Sequence, residues 1–178
     1  MPLWSKSKKG MKLRMKIFID GHCDTLERAV DEKLSIEDRK LKFNITDVKD
    51  INYEKIIQMM AIYIDPKYCN NKDGALKRAK EMINKFKEEK EKFNQIMQIR
   101  SRSDIETFLG NENKIGIILT VENGSAICGK IENIDFYAEE GIKVMSITWN
   151  EDNELGCGAH TKNDTRTYKF RKKVYIRT

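Results

Sequence analysis

Two periods of apolar residues run along this chain, and the switches between them mark its elements. Residues 16–20, Lys-Ile-Phe-Ile-Asp, are β-rich and predict a first strand. Leu26, Ala29 and Val30 recur at three- and four-residue steps, which predicts a short helix over 25–33. Residues 34–50 show no period and read as loop. The run Ile-Gln-Met-Met-Ala-Ile-Tyr-Ile over 57–64 predicts a second strand, ended by Pro66 and Asn70-Asn71. The longest periodic stretch is 74–99. There Leu76, Ala79, Met82, Ile83, Phe86, Phe93, Ile96 and Met97 predict one long helix. The charged run from Lys87 to Lys92 reads as its solvated face, with i,i+4 pairing. Ser103-Asp104-Ile105-Glu106 predicts a capping box for a short helix ending near Gly110. Residues 115–121 are nearly all apolar, as in a strand buried on both faces. A helix over 131–140 with Gly141 as its cap, then a strand over 142–148, complete the pattern.

Repeated strand-then-helix units with short connections predict an α/β fold built on a parallel sheet with right-handed crossovers. Such sheets gather their chemistry at the carboxyl ends of the strands. Here the first strand ends at His22 and Asp24, the third at Glu122-Asn123-Gly124, and the fourth at Trp149-Asn150.

Alternate residues of an extended segment point the same way. His22 and Asp24 therefore leave the strand end together, with Cys23 turned away. An imidazole nitrogen beside a carboxylate is half of a zinc-type ligand set. A hydrogen bond from His22 to Asp24 or to a backbone carbonyl in a tight turn fits the same three residues. Glu122 follows a buried strand directly, which is costly unless something positive meets it. A solvated turn built on Asn123-Gly124 is the other reading. Taken together, His22, Asp24 and Glu122 favour a metal over either turn.

Charge and cysteine content narrow the classes. The net charge of +6 divides into +6 over residues 1–16, +6 over 161–178 and −6 between them. An acidic body with basic ends does not match a nucleic-acid-binding domain, whose basic residues cluster on a folded face. Cys23, Cys69, Cys128 and Cys157 form no CxxC pair, and reduced thiols in a cytoplasmic protein are the simplest reading. Residues 1–14 are basic but lead into no apolar segment, so they are not a secretory signal; a disordered leader outside the fold is expected. The apolar runs are strand-length, too short for a membrane span.

Three linked motifs carry a family resemblance. Asp20-Gly21-His22-Cys23-Asp24-Thr25 resembles the opening motif of the membrane (renal) dipeptidase family of zinc peptidases. Thr120-Val121-Glu122-Asn123-Gly124 is similar to its strand-end glutamate motif. Gly141-Ile142-Lys143-Val144, Thr148-Trp149-Asn150 and Asn153-Glu154-Leu155-Gly156 resemble the stretch that follows. The likeness covers roughly residues 15–165. It implies a (β/α)8 TIM-type barrel with two zinc ions, in which His22 and Asp24 hold the first and Glu122 bridges both. The nucleophile is then a hydroxide between the metals, attacking a dipeptide, with Glu122 and Asp24 as the catalytic carboxylates.

The departures are as informative. Many family members carry a substrate-binding histidine where this chain has Trp149; Trp149 and Asn150 are the substrate-contact candidates here, and strand-end packing of Trp149 stays open. The family draws two second-metal histidines and a late first-metal aspartate from later strands. His160 is the one remaining histidine and reads as an exposed loop residue at no matching position. A complete barrel takes about 250 residues, whereas this chain supplies about the first four β/α units. Residues 165–178 form a basic tail that leaves the pattern, as a frameshift, a premature end or a short variant would produce. The expectation is a leader over 1–14, a half-barrel over 15–164 and the tail: by family a zinc-dependent dipeptidase, as this chain inactive. A half-barrel leaves an apolar inner face bare, so self-association is expected. The alternatives are another metal-dependent barrel hydrolase, an amidase or phosphoesterase, or a non-enzymatic α/β fragment.

Overall fold

Buried strands at the centre set the architecture. In the computed structural model, which describes residues 15–162 apart from Lys49, Asn70 and Lys72, β1 (Ile17–Asp20), β2 (Lys55–Tyr63), β4 (Ile115–Glu122) and β5 (Val144–Met145) lie side by side in chain order. Every pairing is parallel. Between them run α1 (Thr25–Asp31), α2 (Ile45–Val48), α3 (Gly74–Lys92), α4 (Arg102–Gly110) and α5 (Asn133–Glu139). This is the first half of a (β/α)8 barrel.

A fifth short strand, β3 (Ile96–Gln98), pairs with the amino half of β4, from Ile115 to Ile117. β5 pairs with its carboxyl half, at Thr120 and Val121. β3 corrects the sequence reading, which ran one helix through residue 99. α3 ends at Lys92 because Phe93 takes an extended backbone (φ −119°, ψ 99°). Ile96 and Met97 continue the helical spacing by coincidence, and a short apolar run fits either period.

The two faces of the sheet are covered differently. Ile56, Met60 and Ile62 of β2 and Ile115, Ile117, Leu119 and Val121 of β4 belong to the main core. Leu26 of α1 and Ala79, Met82, Ile83 and Phe86 of α3 pack into the same core. The opposite face is closed only at the amino ends, where Ile57, Ile99 and Phe108 form a second cluster. Gly116 lies under it: a Cβ there would come within 2.6 Å of Ile99 Cδ1 and 3.3 Å of Phe108 Cε2. Elsewhere on this face Ile17, Ile19 and Val144 are 39%, 61% and 48% exposed.

Other differences have local causes. The segment read as loop buries Ile36, Leu41, Phe43, Ile45 and Val48 and contains α2. Its apolar residues seal the core without any period. The N-cap of α4 is Ser101, two residues before the expected Ser103. Ser101 Oγ accepts from the Asp104 N–H at 3.2 Å, while the Asp104 carboxylate accepts from the Arg100 N–H. Glu89, inside the run read as solvated, is buried and tied to Ser35, Ile36 and Lys85. Gly141 caps α5 as expected, with φ 80°. The last strand is shorter than 142–148, with ladder pairing only at 144–145. The basic leader and tail lie outside the described residues.

Candidate metal centre

The geometry at the strand ends starts from backbone pairing. Beyond β1 the chain stays bonded to β2: the Cys23 N–H donates to Met59 O at 3.1 Å, and the Ala61 N–H donates to Cys23 O at 2.9 Å. Asp20 Oδ1 accepts from the His22 N–H at 3.0 Å, which shapes the bend between them. Alternation then sends Cys23 into the core and leaves His22 and Asp24 outside. Burial pushes the Cys23 thiol up to about 11, so it stays protonated. Asp24 occupies the N-cap position of α1 without capping it, so its carboxylate remains available.

His22 Nε2 lies 3.2 Å from Asp24 Oδ1 and 3.4 Å from Glu122 Oε2. One ligand atom from each of the three falls within 4.8 Å of the other two. Among the described residues this is the one such cluster. The donors are an imidazole nitrogen and two carboxylates, a set that suits zinc. Half of the His22 side chain is exposed, so the cluster is open to solvent.

β2 stands between β1 and β4, the strand that ends at Glu122. The two side chains meet on the inner face over β2. On that face Ala61 pairs with Thr120, and Tyr63, the next inward residue, pairs with Glu122.

Glu122 is the more enclosed carboxylate. Burial raises its pKa, opposed by the His22 charge, with Asp24 raising it further and a hydrogen bond from Trp149 lowering it. Trp149 also packs edge-on against Tyr63, with ring centroids 5.1 Å apart. Tyr63 pairs with Glu122 across β2 and β4, so the aromatic pair flanks the cluster. Burial, with Asp65, Glu27, Glu122 and Glu151 nearby, pushes the Tyr63 phenol up to about 12. Asn150 follows on the loop, its carbonyl accepting from the His160 N–H at 2.8 Å. The His160 ring stays exposed beside Glu151, away from the cluster.

Supporting residues escaped the sequence reading. Asn123, which the alternative turn reading would leave in solvent, is buried with φ 81°. Its Nδ2 donates to Ile64 O at 3.0 Å, and its Oδ1 accepts from the Ser125 N–H and from Asn153 Nδ2. Asn153 Oδ1 in turn accepts from the Leu155 and Gly156 N–H groups. This bracket ties the end of β4 to the end of β2 and to the loop beyond β5. Gly124 permits it, since a Cβ there would meet Leu155 Cδ1 at 2.5 Å and Ile147 O at 2.6 Å. The strand-end pairing of Asn with Gly was the one visible signal.

Residues 10–172 match the family model described as membrane dipeptidase (peptidase family M19). The chain belongs to the membrane dipeptidase family. None of the curated proteins matches it in a sequence search. Among solved structures, a metallopeptidase from Rhodobacter sphaeroides liganded with a phosphinate mimic of the dipeptide L-Ala-D-Ala superposes with a TM-score of 0.66 at 13% identity. That match covers 81% of this chain and 48% of the other. A metallopeptidase of family M19, dipeptidase AC, gives 0.65 at 14% identity over 80% and 45% of the two chains. An amidohydrolase from Pseudomonas aeruginosa gives 0.61 at 14% identity over 90% and 42%. At these identities the structures establish the shared fold. The chain spans under half the length of each.

Proposed function

We propose that this chain carries the amino-terminal half of a zinc-dependent dipeptidase centre, and that His22, Asp24 and Glu122 are its metal ligands. The observation that carries the reading is the meeting of these three donors at strand carboxyl ends in a chain of the membrane dipeptidase family. A bound metal of this kind supplies an activated water and polarises the substrate carbonyl. Glu122, enclosed and hydrogen-bonded by Trp149, fixes one side of the centre. Asp24 Oδ1, more exposed, is placed to take and return a proton at the mouth. Trp149 and Tyr63 form a wall that excludes water from one side, with Asn150 next along the loop.

The substrate class is a dipeptide, supported by the dipeptide mimic bound to the Rhodobacter sphaeroides neighbour. The four free thiols support a reducing, cytoplasmic setting. The described residues bring one imidazole to the centre. We therefore expect the isolated chain to bind metal without turning over dipeptides. The test is hydrolysis of simple dipeptides by the purified chain with zinc, cobalt or manganese. No turnover above a metal blank is expected, and robust turnover abolished by a chelator overturns the inactive assignment. The Pseudomonas aeruginosa neighbour named an amidohydrolase favours a second reading, an amide hydrolase of wider scope. Amide substrates run beside the dipeptides would separate the two.

A further inference from the structure

Two thiols stand on neighbouring connections that the metal reading does not use. The connection after β2 makes a 3-10 turn at Pro66–Tyr68 and ends it on Cys69, whose N–H donates to Pro66 O at 3.0 Å. It then bends tightly into α3: a Cβ on Gly74 would come within 2.5 Å of Tyr68 O. The connection after β4 makes a second 3-10 turn at Gly124–Ile127 and ends it on Cys128, whose N–H donates to Ser125 O at 2.9 Å. Lys130 Nζ reaches Asp73 Oδ1 at 2.6 Å and so pins this turn against the start of α3. Both thiols reach that corner. The buried Ser125 hydroxyl donates to Cys69 Sγ, and Cys128 lies close enough for its charge to act on Cys69. Cys128 Sγ accepts from the Leu76 N–H in the first turn of α3. Cys69 is exposed, whereas Cys128 is half-buried.

We propose that Cys69 and Cys128 are a redox pair, an exposed entry thiol and a resolving thiol that close into a disulfide between the connections after β2 and β4. The oxidant is a small-molecule disulfide of the glutathione type. The Cys69 thiolate attacks one of its sulfurs, forming a mixed disulfide and releasing one reduced thiol. The Cys128 thiolate then attacks the Cys69 sulfur, forming the intrachain bond and releasing the second. Each cysteine gives up its proton, and the oxidant takes up the two electrons. The placement suits these roles. An accessible thiol beside a resolving one is the arrangement of thiol sensors, and an N–H at a helix start supports the Cys128 thiolate. Burial raises both thiols above the ordinary cysteine value, so the exchange quickens as pH rises toward it. Closure fastens two connections that already meet through Asn123 Nδ2 and Ile64 O at 3.0 Å, directly behind Glu122. In a reducing setting the pair stays open, and an oxidising shift closes it.

The test incubates the native full chain with oxidised glutathione at mildly alkaline pH, quenches with acid and reads intact and peptide masses. The expected product is a single chain lighter by two hydrogens, with Cys69 and Cys128 in one crosslinked peptide pair, reopened by dithiothreitol. Cys128→Ser is expected to stop at a glutathione adduct on Cys69, and Cys157→Ser to close as the native chain does. A native chain that stays reduced or stops at the adduct overturns the proposal. So does a bond from either thiol to Cys23, Cys157 or a second chain, or closure that needs urea. Urea melts give a second check. The midpoint of the closed form should rise, because a bond that fits the native geometry restrains the unfolded chain. A lower midpoint would show that the thiols must be dragged together, and it also overturns the pair. Neither readout involves metal or turnover, so the outcome stands apart from the dipeptidase reading.

Discussion

His22 Nε2 and Glu122 Oε2 lie 3.4 Å apart although their strands do not touch. Two strand spacings amount to about 10 Å, so the side chains must lean toward each other over β2. Ala61, one pair before Glu122 on that face, adds only a methyl group there. We predict that Ala61→Val weakens metal binding about tenfold, the scale of a disturbed ligand support. Isothermal titration with zinc checks this. An unchanged affinity in a folded Ala61→Val variant would show that the space over β2 does not control the meeting.

His22→Ala and Glu122→Gln should each lower zinc affinity by at least about tenfold, since loss of a ligand exceeds loss of an outer support. Neither should unfold the chain, because both side chains are in part exposed. Cys23→Ser serves as the contrast. Its thiol points into the core, so zinc affinity should hold even if stability falls. Equal zinc loss in all three variants would sink the assignment.

Trp149 offers a spectroscopic handle. Its ring stands against Tyr63 and its side chain hydrogen-bonds Glu122. Zinc binding at Glu122 should change tryptophan emission, and Trp149→Phe should abolish that change while weakening binding about tenfold. Emission that responds to zinc equally in Trp149→Phe would place the metal elsewhere.

Glu89 governs an acid limb of stability. Burial alone would raise its pKa, but bonds from Lys85, the Ile36 N–H and Ser35 outweigh this and hold it below the usual carboxylate range. A depressed folded-state pKa adds stability above the unfolded value, about 4.3 for glutamate. That stability fades as pH falls through the folded value. Urea melts should show the native chain losing its margin over Glu89→Gln as pH drops from neutral toward the folded pKa. At neutral pH the substitution should cost roughly 1–3 kcal/mol, the scale for a disrupted buried hydrogen-bond group. A pH-independent difference would contradict this.

The main strands and the three clustered residues were legible because they follow simple rules. β2 and β4 announce themselves as apolar runs, and His-x-Asp at a strand end has a geometric meaning that needs no homologue. β3 was hidden because Ile96 and Met97 continue the spacing of α3. The buried role of Glu89 was hidden because its partners, Ser35 and Ile36, lie more than fifty positions away. The bracket around Asn123 and Asn153 was hidden for the same reason: asparagines at strand ends read as turns until the tertiary fold supplies their acceptors. The intervening position of β2 follows from sheet order, which the spacing of motifs does not encode.

The most direct test of the metal centre is X-ray absorption at the zinc edge on the zinc-loaded chain. A site built from His22, Asp24 and Glu122 predicts only nitrogen and oxygen neighbours, at about 2.0–2.2 Å, with imidazole scattering from one histidine. His22→Ala should remove the imidazole signal. A sulfur shell near 2.3 Å, or an imidazole signal that survives His22→Ala, would contradict the account.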